Sequence, residues 1–138
     1  MAVYLADKSA LTRRDTRPEV RDVIEPLLLA GRIATCGIVD LELLFSAPDP
    51  GTYAELARVL RALPRVAVTD DAVDRSLEVQ GQLATRSQHR AVPLPDLLIA
   101  ACAERAGLVV LHYDAEFDRI AEVTGQPMQW VVPPGTVS

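Results

Sequence analysis

Five acidic residues stand where an acid is hard to explain as ordinary surface. Asp7 closes the apolar run Val3-Tyr4-Leu5-Ala6, and Glu42 interrupts an aliphatic stretch between Ile38-Val39 and Leu43-Leu44-Phe45. Asp96 opens Leu97-Leu98-Ile99-Ala100. Asp114 follows Leu108-Val109-Val110-Leu111, with Glu116 two residues on. A carboxylate beside a buried segment needs a partner or a cation. If the five meet in one pocket, the chain is a metal enzyme.

Each acid also has a plainer reading. Asp7 can begin a turn, and Asp96 suits a helix's first turn, where the macrodipole favours an acid. Asp114 can cap the last helix, and Glu116 and Asp118 are ordinary in its first turns. Glu42 has the weakest such excuse, because a glutamate among aliphatic helix residues needs a partner. Asp40, on a different helix face, reads as a rim residue. Ser9 can contact a metal-bound water or a phosphate, or cap a short helix.

The elements that would position these acids follow from periodicity and from breakers. Residues 2–6 predict a short buried strand. Pro18 opens a helix in which Val20, Val23, Ile24, Leu27 and Leu28 share a face, and Gly31 marks its end. A strand over 33–36 precedes a helix over 37–47 that is apolar almost all round and is expected to be buried. Tyr53, Leu56, Leu60 and Leu63 mark an amphipathic helix, suited to the core, a dimer contact or a partner groove. A third strand is expected over 65–68. Thr69 caps a long polar helix from Asp70 to about Arg86. Pro95 sits in the first turn of a helix closed by Gly107, and 108–112 is the clearest strand. A helix over 114–124 ends at Gly125, and a short strand covers 129–132. Strands that are continuous apolar runs, alternating with helices, predict an α/β fold with a mostly parallel sheet and helices on both faces. In such sheets ligands bind beyond the carboxyl ends of the strands, where Asp7 and Asp114 fall.

The chain has 138 residues and no internal repeat or linker, which suits one domain over 1–138. An apolar share of 49% with 24% charged residues is a globular balance, and no span is long enough for a membrane helix. No secretory signal is read, and the isolated Cys36 and Cys102 are expected to be reduced thiols in a cytoplasmic protein. Those cysteines with the isolated His89 and His112 make a poor zinc site. The five acids account for the whole net charge of −5, so once cations neutralise them the remaining surface need not repel RNA.

Four segments in order carry a resemblance: Asp7 to Leu11, Ile38 to Leu44, Pro95 to Ala101 and His112 to Ala121. Together they resemble a PIN-domain ribonuclease of the VapC toxin type over nearly the whole length. The resemblance implies a three-layer α/β/α PIN-like fold and a Mg²⁺-dependent endoribonuclease, with Mn²⁺ able to substitute. It also implies a homodimer and an inhibitory VapB-type antitoxin, which in this family commonly inserts a basic side chain into the acidic pocket. Asp7, Glu42, Asp96 and Asp114 match the family's metal-binding acids. Glu116 stands where many members have aspartate. Ser9 matches a small polar residue that commonly follows the first acid by two. Lys8 departs from the threonine or alanine often seen there and reads as solvated. Arg13, Arg14 and Arg17, and Arg86, His89 and Arg90, are the expected RNA contacts. The competing readings are a catalytically decayed PIN module that only binds partners, and a doubly wound phosphatase or phosphoacceptor. The latter types need acids that this chain lacks at the required spacings.

Overall fold

Three short apolar runs become the centre of one sheet. They are β1 (Tyr4–Ala6), β2 (Ile33–Cys36) and β4 (Val109–His112). The computed structural model describes residues 1–138, and in it all of β2 and the last three residues of β4 are buried. Two edge strands complete the sheet, β3 (Arg65–Val66) and β5 (Met128–Trp130), in the order β3-β2-β1-β4-β5. Every pairing is parallel, with Tyr4 beside Ile33 and Val109, and Ala6 beside Leu111.

Alternation along each strand sends neighbours to opposite faces. Leu5, Ala34 and Val110 join the larger core cluster, whereas Ala6, Ile33 and Leu111 join the smaller one. The smaller cluster is closed by Val20 and Ile24 of α2 (Pro18–Leu29). The larger is closed by α3 (Gly37–Phe45), α5 (Asp70–Ala84), α6 (Leu94–Ala106) and α7 (Glu116–Thr124), with Phe117 and Ile120 wholly buried. Helices α1 (Lys8–Leu11) and α4 (Pro50–Arg61) lie in the connections that follow β1 and α3.

The chain runs outward from β1 through β2 to β3, then returns to the other side of β1 for β4 and β5. The sheet therefore reverses its winding between β1 and β4, the point where open α/β sheets bind ligands. Thr69 caps α5 through its hydroxyl, and Gly107 and Gly125 end α6 and α7 at φ +71°, as their sequence positions predict.

Two expectations are overturned in α3. The helix is not buried all round, since Leu41 is 66% and Phe45 91% exposed. Val39, Asp40 and Leu43 are its buried residues, and Ile38 and Leu44 pack half-buried against the core. Asp40 is therefore not a rim residue: it is buried and ion-paired with Arg65 of β3. An arginine from the edge strand lets an acid turn inward, and nothing near Asp40 in the chain announces that partner.

Candidate metal site at the β1–β4 crevice

Asp7 leaves β1 in extended geometry and caps α1. Its backbone N–H donates to Leu111 O at 2.9 Å, and its Oδ2 accepts from Ser9 N at 3.0 Å. These bonds fix the carboxylate at the end of the central strand. Its Oδ1 is buried with no donor. On the adjacent strand, Asp114 N donates to His112 Nδ1 at 3.1 Å, and Asp114 Oδ1 accepts from Glu116 N at 3.0 Å. Asp114 thus makes a local turn into α7 rather than capping it in the standard way.

Ser9 braces the same turn from β1, its Oγ accepting from Tyr113 N at 2.9 Å. His112 is fully buried, packed 5.0 Å from both Phe117 and Trp130. Burial holds its pKa below the ordinary histidine range, and Nδ1 is used as an acceptor, so the ring is neutral. Its role is to orient the Asp114 backbone.

Asp96 enters from the first turn of α6 and Glu42 from α3. The pKa of Asp96 is pushed up to about 8, first by burial and then by the charges of Asp7, Asp114, Glu42 and Glu116. The expected acids therefore act on Asp96 electrostatically, although the five come from four separate chain segments. Four of them carry a buried oxygen with no hydrogen-bond donor: Asp7 Oδ1, Glu42 Oε1, Asp96 Oδ2 and Glu116 Oε2. The last lies 3.1 Å from Arg119 Nε, a pairing too poorly aligned to be a hydrogen bond. Undonated buried carboxylate oxygens are costly, and a divalent cation is the partner that hard oxygen ligands suit. No three His, Cys, Asp or Glu side chains converge closely enough here to ligate one ion together. Mg²⁺ does not need three such ligands, because it keeps several waters and takes one or two carboxylates.

The basic residues divide differently from expectation. Arg13 is engaged within the fold: its guanidinium lies 4.7 Å from the Tyr113 ring centroid and donates to Ser9 O and Ser138 O. Arg17 donates to Ser138 Oγ, and Arg14 is paired with Glu25. These three arginines are thus not free for phosphate in this arrangement. Arg86 lies 3.8 Å from Glu122, while Arg90 is exposed and enters none of the ion pairs. Lys8 is not simply solvated, because its Nζ is 3.4 Å from Glu42 Oε2. The brace roles of Ser9 and His112 depend on β1 and β4 being neighbours, and so have no local signal.

An apolar groove of about 550 Å³ lies away from the acids, between α2, α3 and α4, lined by Leu11, Leu28, Leu43, Leu56, Val59 and Leu63 among others. The coupling at Asp96 and the undonated oxygens, not cavity size, locate the chemistry.

The family model for the PIN domain matches residues 4–123. Ribonuclease VapC51 of Mycobacterium tuberculosis is 49% identical over 134 residues, covering 97% of this chain and 96% of that protein. Ribonuclease VapC18 of the same organism is 42% identical over 137 residues, covering 98% and 99%. Among solved structures, DNA-bound VapBC from Salmonella typhimurium superposes with a TM-score of 0.74 at 21% identity, covering 96% of this chain and 100% of that one. That last likeness bears on the fold alone. The chain belongs to the PIN-domain family, among the VapC ribonucleases.

Proposed function

We propose that this chain is a Mg²⁺-dependent endoribonuclease and the toxin of a type II toxin–antitoxin pair, with Mn²⁺ able to replace Mg²⁺. One observation carries the metal reading: Asp7, Glu42, Asp96 and Glu116 each hold a buried oxygen without a donor, and the charges of the other three help push Asp96 up. The ribonuclease reading rests on relatives of that name, at 42–49% identity over almost the entire chain.

In this reading the whole of residues 1–138 acts as one unit. Asp7 with Asp96 or Asp114 would hold the ion, and Glu42 and Glu116 would hold its waters or assist a second ion that arrives with the substrate. A bound ion supplies a water that ionises near neutral pH and positive charge at the departing oxygen. Asp96 gives up its proton when the site is loaded. Ser9 and His112 hold the Asp114 turn still, and no histidine takes part in proton transfer. Arg90 and Arg86 meet the phosphates, which gives affinity and salt dependence rather than sequence choice. Products carry a 5′-phosphate and a 3′-hydroxyl.

The partner is a VapB-type antitoxin, and an amphipathic helix of that partner suits the groove between α2, α3 and α4. Relatives named VapC ribonucleases, at 42–49% identity, support that reading. Exposed Leu41 and Phe45 offer an apolar surface to a second copy, in keeping with a homodimer. No helix is long and apolar enough to cross a membrane, and we place the protein in the cytoplasm with its RNA. The test is cleavage of RNA by purified protein. Activity that persists in excess EDTA, or in the Asp96→Asn variant, overturns the metal reading.

A further inference from the structure

Two basic groups reach the acid cluster, Arg119 at Glu116 and Lys8 at Glu42. Lys8 opens α1 directly after Asp7, and its Nζ reaches Glu42 Oε2 at 3.4 Å. The geometry is set from both sides. Asp7 caps the helix through Ser9 N, which fixes the backbone of Lys8, and α3 delivers Glu42 against the same end of the sheet. The two side chains differ in exposure, 50% for Lys8 and 20% for Glu42. The other oxygen of Glu42 is buried and receives no hydrogen bond. Lys8 is therefore the one ion-pair partner of a largely dehydrated carboxylate, not half of a hydrated surface pair.

A lysine ammonium is a compact charge on a flexible stem. Resting on Glu42, it opposes a dication approaching that carboxylate. An incoming phosphate offers the same ammonium a second partner, and a half-exposed stem leaves it room to move. Resting on the metal-nuclease reading above, we propose that Lys8 is a positioning residue that acts as a tethered cation for the Glu42 half of the cluster. In the RNA-free protein the Asp7, Asp96 and Asp114 side takes one divalent ion, and Lys8 keeps Glu42 from holding another. Substrate phosphate draws Lys8 off Glu42 and so couples RNA arrival to completion of the site.

The test is calorimetric titration of Mn²⁺ into the full-length, metal-free protein without RNA, paired with electron paramagnetic resonance of the loaded samples. The wild type binds one ion per chain and shows a mononuclear Mn²⁺ spectrum. Lys8→Met and Lys8→Gln bind two and show the spin-coupled spectrum of a neighbouring pair. Lys8→Arg, which keeps the charge, binds one. A wild type that already takes two ions, or neutral variants that still take one, overturns the role of Lys8 alone. Absence of saturable Mn²⁺ binding in every variant overturns the metal reading and this inference with it.

Discussion

Asp96→Asn in the metal-free protein tests the site by stability rather than by activity. Burial and four neighbouring carboxylates push Asp96 from an ordinary 3.8 up to about 8. Between those values the folded protein holds a proton that the unfolded chain has released. Stability therefore falls as pH rises from about 4 to about 8, and the loss is complete above the folded-state value. At about 1.4 kcal/mol per pK unit the full displacement corresponds to ~6 kcal/mol, a ceiling. Relaxation and water entry around a buried charge reduce it, and we expect about 3 kcal/mol. That is a large share of the ~5–15 kcal/mol that holds a domain together.

Asparagine has nearly the same shape and no charge to desolvate. In EDTA, urea denaturation at pH 5 should give the variant and the wild type similar stabilities, and at pH 9 the variant should be the more stable by about 3 kcal/mol. Buried His112 contributes a separate loss as pH falls below its ordinary 6.5, because its folded-state pKa is lowered; that limb is common to both proteins and cancels in the difference. Adding Mg²⁺ at pH 8 should then stabilise the wild type far more than the variant. Parallel pH profiles for the two proteins refute the coupling of Asp96 to the other acids.

Three further outcomes follow from particular contacts. Arg65→Met leaves the buried Asp40 without its cation and should cost ~2 kcal/mol by denaturation, less than a fully buried pair because Arg65 is itself largely exposed; adding Asp40→Asn should recover most of the loss. Neutralising Arg86 and Arg90 should weaken RNA binding most at low salt and lower the slope of log K against log salt by about one to two, read by fluorescence anisotropy. Val59→Asp, at an exposed position lining the α2–α3–α4 groove, should abolish inhibition by the proposed VapB-type antitoxin while leaving RNA cleavage unchanged.

The parts of the molecule legible in the sequence are those set by local pattern. Apolar runs at β1, β2 and β4 mark the central strands because a parallel sheet buried on both faces requires them. Gly107, Gly125 and Thr69 mark helix ends through backbone geometry and capping. Asp7 and Asp114 are legible as acids at one end of the sheet because they follow strands that become neighbours. The errors arise where a partner is distant in the chain. Arg65 draws Asp40 inward across 25 residues, and the tail at Val137 and Ser138 engages Tyr113, Arg13 and Arg17 from over 20 to 125 residues away. The expectation that α3 is buried all round failed because composition alone cannot say which stripe of an apolar helix meets the sheet; Leu41 and Phe45 face outward.

The central claim is that these acids form one metal-loaded hydrolytic site. It is tested most directly by incubating end-labelled RNA with purified protein and sequencing the new ends, with Mg²⁺, with EDTA, and with Asp96→Asn in Mg²⁺. Internal cuts bearing 5′-phosphates are expected in the first sample and intact RNA in the other two. Cuts that survive EDTA, or that end in 2′,3′-cyclic phosphate, contradict the claim.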